Sequence, residues 1–126
     1  MKKILLLALI LTAYSQTASA IYLRNCYNHG QEFSNLFEYC VNDNFWTIER
    51  EIDDSVYLSD CNNFGNTDVS YMFEHCINQN FQKIKISLNT NVFIYSCYND
   101  DMNGVSLSYV NCVNNNFYAI ERSIGF

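Results

Sequence analysis

Three tandem strand-turn-helix units of about 36 residues, each closed by one disulfide and packed together as one domain, form the α+β repeat architecture that the sequence predicts. Two observations carry that expectation. The cysteines stand at 26, 40, 61, 76, 97 and 112, so first members of successive pairs are 35 and 36 residues apart and second members 36 and 36. Apolar residues also recur with a helical phase at the same place in every copy. Composition supports a competing all-β domain with threefold pseudo-symmetry. After residue 20 there are eighteen asparagines and one alanine among many Tyr, Phe, Val and Ile, a mixture suited to turns and strands.

The chain opens as a signal peptide. Met1-Lys2-Lys3 is basic, Ile4 to Ala13 is apolar except for Thr12, and Ala18-Ser19-Ala20 has the small-x-small form of a cleavage site, which predicts a mature start at Ile21. That run is too short for an ordinary transmembrane helix and nothing later is longer, so no stable membrane insertion is expected. Residues 21–126 carry five basic side chains (Arg24, Arg50, Lys83, Lys85, Arg122) against thirteen acidic ones, a net charge of −8. Such a surface repels phosphate backbones, which argues against nucleic acid as a partner. Six cysteines in a small exported chain read as three disulfides rather than metal ligands, and the compartment as secreted or periplasmic. At 126 residues the chain excludes a multidomain enzyme.

The repeats span about 21–55, 56–91 and 92–126. Each begins with a short β-branched and aromatic stretch, Ile21-Tyr22-Leu23, Val56-Tyr57-Leu58 or Val92-Phe93-Ile94, read as a strand. Asn28-His29-Gly30, Asn62 to Asn66 and Asn99 to Gly104 follow as turns. Counting from Phe33, Val69 and Val105 as zero, positions 0, 4, 7, 8, 12, 15 and 19 are apolar in all copies. At 100° per residue they fall within an arc of about 140°, which predicts amphipathic helices over 33–50, 69–86 and 105–122. Ser34, Thr67 or Asp68, and Asn103 are the expected caps. Symmetry selects Cys26–Cys40, Cys61–Cys76 and Cys97–Cys112 from the fifteen possible pairings.

The second copy, from Val56-Tyr57-Leu58-Ser59-Asp60-Cys61 through Asp68 to Cys76 and Lys85-Ile86-Ser87, locally resembles the cysteine-containing class of leucine-rich repeats. The unit here is about ten residues longer than that family's and poor in leucine, and no function is carried over.

Each second cysteine opens the motif Cys-x-Asn-x-Asn-Phe. Asn44, Asn80 and Asn116 fall inside the apolar arc, where an amide must be hydrogen-bonded. They read as backbone partners first and as three equivalent ligand-binding amides second, whereas Asn42, Asn78 and Asn114 fall on the polar face and are expected to be exposed. Phe45, Phe81 and Phe117 are assigned to the core. Trp46 and Tyr118, with Tyr27 and Tyr98, are candidate stacking or anchoring residues. His29 and His75 occupy unrelated positions, no nucleophile elbow or phosphate loop is present, and no spacing matches zinc, so no catalytic, metal or cofactor residue is assigned. The acidic pairs Asp53-Asp54 and Asp100-Asp101 lack the ligand spacing of a dedicated calcium loop. The function expected is that of a non-enzymatic binding module for a protein partner, with a small carbohydrate-binding module and then a secreted hydrolase or toxin as alternatives.

Overall fold

The computed structural model describes residues 21–88 and 91–124, so the expected signal peptide lies outside the described residues. Three helices follow one another: α1 (Asn35–Glu51), α2 (Tyr71–Leu88) and α3 (Leu107–Ile124). Each starts two residues later than the apolar phase predicts, because a serine at the same place in every copy caps it. The hydroxyls of Ser34, Ser70 and Ser106 accept from the N–H groups of Phe37, Phe73 and Tyr109 at 3.2, 3.1 and 3.2 Å. Ser34 was the expected cap, whereas Ser70 and Ser106 replace the expected Thr67 or Asp68 and Asn103. The serines are themselves seated by the asparagine two residues after each first cysteine. The side-chain oxygens of Asn28, Asn63 and Asn99 each accept from the capping serine's N–H at 2.8 Å. Their NH₂ groups donate to two turn carbonyls apiece: Gly30 and Glu32, Asn66 and Asp68, Asp101 and Gly104. One amide thus closes each turn and delivers the chain to its helix.

The expected strands do not form. Segments 21–26, 56–61 and 92–97 have no strand pairing, and no sheet exists among the described residues. The protein is helical, which corrects both the α+β expectation and its all-β alternative. The reason is the identity of the hydrogen-bond partners: each segment runs between two helices, and side chains of those helices occupy the backbone groups that a neighbouring strand would have paired. Without a sheet the unit also parts from leucine-rich repeats, in which each repeat contributes a strand.

The disulfides pair within each repeat, Cys26–Cys40, Cys61–Cys76 and Cys97–Cys112, with Cα–Cα distances of 5.5, 5.6 and 5.7 Å. Each ties a segment to the first turns of its own helix, closing a loop worth about 3 kcal/mol in the chain-entropy description.

The helices stand around a pseudo-threefold axis. On that axis the rings of Phe45, Phe81 and Phe117 form a closed triangle, with centroids 5.1 to 5.2 Å apart and planes inclined by 62° to 63°. This mutual edge-to-face geometry suits the ring quadrupoles. Buried Ile48, Ile84, Ile120, Val41, Ile77 and Val113 surround it, as the apolar phase predicts. At the capped ends of the helices Phe37, Phe73 and Tyr109 make a second buried layer, with Phe33 edge-on to Phe73 at 4.8 Å.

The ring closes through backbone contacts between turns: Phe33 N–H donates to the Thr67 carbonyl at 2.8 Å and Val105 N–H to the Gln31 carbonyl at 2.9 Å. At the latter contact the chain is too close for a side chain. A Cβ on Gly104 (φ +153°) would lie 2.1 Å from the Gln31 carbonyl oxygen, whereas one on Gly65 (φ +73°) meets nothing within 4 Å. Gly65→Ala is therefore expected to cost the left-handed strain alone, about 1 kcal/mol, and Gly104→Ala upwards of about 2 kcal/mol by prising the third turn from the first. Urea unfolding of both variants checks this ranking, and equal losses would refute the close contact.

Candidate functional site

Between neighbouring units lie three seams, each built from the Asn-x-Asn pair of one helix. Because residues two apart point about 200° away from each other on a helix, the two amides face different segments. The second asparagine clasps its own unit. The Asn44 side-chain oxygen accepts from Arg24 N–H at 3.0 Å and its NH₂ donates to the Arg24 carbonyl at 2.8 Å. Asn80 does the same to Ser59 and Asn116 to Tyr95. The first asparagine reaches forward to the next unit: Asn42 holds both backbone groups of Cys61, Asn78 those of Cys97, and Asn114 those of Cys26, all at 2.7 to 2.9 Å. The bond from the third helix to the first segment makes the ring continuous.

The structure accordingly places Asn44, Asn80 and Asn116 in the interior with donor and acceptor both engaged, as the backbone-partner reading requires. Asn42, Asn78 and Asn114 are not the exposed residues that the helical wheel suggests but half-buried clasps. The wheel assumes a single buried direction, and a helix in a ring has an axis and two flanks to cover.

Carboxylates reinforce the seams unevenly. Glu38 accepts from Asn63 N–H and Glu74 from Asn99 N–H, while the third copy has Val110 there. Glu49 accepts from Leu58 N–H at 2.9 Å and Glu121 from Leu23 N–H at 3.1 Å, while the second copy has Lys85 there. Both glutamates belong to an Ile-Glu-Arg shared by copies one and three, which the sequence alone reads as solvated charge on a polar helix face and which the structure turns onto backbone N–H groups. The same tripeptide places an arginine over an aromatic ring: Arg50 lies 4.6 Å from the Trp46 centroid and Arg122 5.6 Å from that of Tyr118.

The remaining candidates face outward. Trp46, Tyr118, Tyr27 and Tyr98 are all exposed. A further set was not singled out from the sequence: Tyr22, Tyr57 and Phe93, equivalent in the three copies, are 83%, 76% and 73% exposed. They alternate with the inward Leu23, Leu58 and Ile94, and that alternation was the available signal. The first seam brings two of these residues together. Trp46 and Tyr57 line a cleft of about 210 Å³ together with Asn42, Glu49 and Asp60. The other side of Tyr57, with Val56, Ile86, Asp53 and Lys83, lines an open hollow of about 610 Å³. Tyr57 is the ridge between the two.

Groups suited to acid–base or metal chemistry are dispersed. His29 is exposed, and His75 stacks on Tyr71 at 5.6 Å on the outside of α2. Asp53 accepts from Ser55 N–H, which lowers its pKa, and Asp101 accepts from Asn103 N–H, so both close turns. Among the described residues no three His, Cys, Asp or Glu side chains converge as a metal site. Among the described residues Tyr109 is the one strongly perturbed group. Burial, with the Glu74 carboxylate as a lesser contributor, raises its pKa well above the ordinary tyrosine value, and its hydroxyl has no hydrogen-bond partner among the described residues.

Comparison of the chain with protein-family models, with curated proteins and with solved structures finds no match.

Two outcomes test this account of the seams. Asn78→Ala strips the partners from both backbone groups of Cys97 and should cost about 2 to 4 kcal/mol, against less than about 0.5 kcal/mol for the neighbouring exposed Gln79→Ala; similar losses in urea unfolding would contradict the clasp. Tyr109→Phe removes a buried hydroxyl that lacks a partner and should be neutral or stabilising by about 1 kcal/mol. Because folding raises the Tyr109 pKa, the wild type holds that group's full stability below about pH 10 and loses it as pH rises further. The variant should therefore unfold at higher pH, read by circular dichroism.

Proposed function

We propose that this is an exported, disulfide-stapled binding module without enzymatic activity, whose partner is a protein docked on the outer face of the first seam. The observation that carries this reading is the position of Tyr57, exposed between two clefts and flanked by Trp46 on α1 and Ile86 on α2. Large aromatic anchors beside shallow clefts, rimmed by Glu49, Asp60, Asp53 and Lys83, have the composition of a protein-binding hot spot with a polar rim. Nothing in the interior calls for an aromatic ring at that outward position. The three disulfides fit an oxidising compartment, and no helix among the described residues is long and apolar enough to cross a membrane. The carbohydrate alternative loses the three interior amides as sugar ligands, since all are engaged by backbone, and retains only the outward aromatics.

A photoreactive benzoylphenylalanine at Tyr57, with a second at exposed Met102 as control, tests the reading in the extracellular or periplasmic fraction of the source cells. A discrete protein adduct is expected from position 57 and not from 102. Excess wild-type protein should suppress it, and excess Trp46→Ser/Ile86→Ser protein should not. Equal labelling from both positions, or none from 57, overturns the reading. Tyr57-dependent hits on a glycan array without a protein adduct would transfer the site to the carbohydrate alternative.

A further inference from the structure

The three seams share one plan, and the second lacks one part of it. In the first seam Glu49 accepts from Leu58 N–H at 2.9 Å, and in the third Glu121 accepts from Leu23 N–H at 3.1 Å. The equivalent N–H in the second seam belongs to Ile94, a residue 8% exposed, and no acceptor for that N–H is found among the described residues. A backbone N–H at a buried residue is paired with protein, water or a ligand in the great majority of cases, so this position is open to an external acceptor. The helix position that supplies the carboxylate elsewhere is held by Lys85, which is exposed and makes no ion pair among the described residues. Beside Ile94 lies a small cleft of about 10 Å³, lined also by Asn78, Phe81, Gln82, Tyr95 and Ser96. It admits one water-sized group, the size of a single carboxylate oxygen.

We infer that the second seam is a carboxylate-binding site, filled by an acidic group of the binding partner. One oxygen enters the cleft and accepts from Ile94 N–H, as Glu49 and Glu121 do within the chain, while the Lys85 ammonium compensates the charge. A charge-assisted bond to a backbone N–H is among the stronger polar contacts available. Lysine at the position where the other two copies carry glutamate leaves a receptor for an external carboxylate in place of an internal latch. The inference rests on the reading of the chain as a binding protein and deepens it by naming the partner's chemistry.

The test uses the mature chain, labelled with nitrogen-15, and follows the Ile94 amide by NMR. The probes are the acetylated, amidated peptide Gly-Glu-Gly, its Gly-Gln-Gly counterpart, and acetyl-Gly-Gly-Gly with a free C-terminus. The glutamate peptide should move the Ile94 amide proton downfield and saturably at about 1 mM, and the glutamine peptide should leave it in place. A response to the free C-terminus alone would assign the carboxylate to a chain end rather than a side chain and still support the site. In Lys85→Glu the Ile94 amide should already sit downfield without peptide and cease to respond, whereas Lys85→Met should respond several-fold more weakly. An Ile94 amide that ignores both carboxylates, or answers glutamine equally, overturns the proposal. That result would leave the crosslinking at Tyr57 unaffected, and absence of crosslinking would leave the Ile94 response unaffected.

Discussion

An asparagine side chain carries the same donor and acceptor as a peptide unit, and this fold depends on that equivalence. Each of the three segments entering the ring crosses between two helices with backbone groups that would otherwise be buried without partners, an unfavourable state in a low-dielectric interior. Two amides, one from each flanking helix, take alternate residues of the segment: Asn44 takes Arg24, and Asn114 takes Cys26. The pairing resembles a β-ladder in which one strand has been replaced by side chains from the two flanking helices, taking residues two apart on the segment. Glutamine has an extra methylene and a further rotatable bond to order, while aspartate lacks the donor at neutral pH. Asparagine is the residue that can do both halves of the work at this reach.

Much of this plan was legible in the sequence because it is written three times. The cysteine spacing gave the unit and, by symmetry, the pairing Cys26–Cys40, Cys61–Cys76 and Cys97–Cys112. The apolar phase located the helices and the axial Phe45, Phe81 and Phe117. The segments at Ile21, Val56 and Val92 carry a strand-like pattern without forming strands, for a physical reason. β-Branched and aromatic alternation reports a segment with one face buried and one exposed, and it does not report what the backbone pairs with. Leu23 in and Tyr22 out would look the same beside a strand or beside a pair of asparagines. The forward-reaching Asn42, Asn78 and Asn114 were hidden for a related reason, since their partners lie in another copy and a wheel drawn for one helix has no neighbour in it.

The copies agree in what holds the ring and differ in what faces outward. Trp46, Gln82 and Tyr118 share one position, and Arg50, Ile86 and Arg122 another. In copies one and three a guanidinium covers the ring, whereas in copy two an exposed isoleucine stands beside Tyr57 and Lys83. A scaffold with nearly equal seams thereby carries unequal surfaces. The second unit, with its exposed apolar group and its lysine in place of a glutamate, is where pseudo-symmetry is most strongly broken on the outside.

Closure through Asn114 and Cys26 has a bearing on how such a chain can change in length. A solenoid stacks units in a line, needs polar caps at both ends, and can be lengthened or shortened by one repeat with modest penalty. Here the last helix binds the first segment, so the first and third units cover each other. The three axial phenylalanines also leave no room on the axis for a fourth ring in mutual contact. Duplication or loss of one unit would open the triangle and strand a clasp at each end. The number three is therefore a property of the packing itself, and innovation in such a molecule is confined to altering side chains within units rather than to adding units.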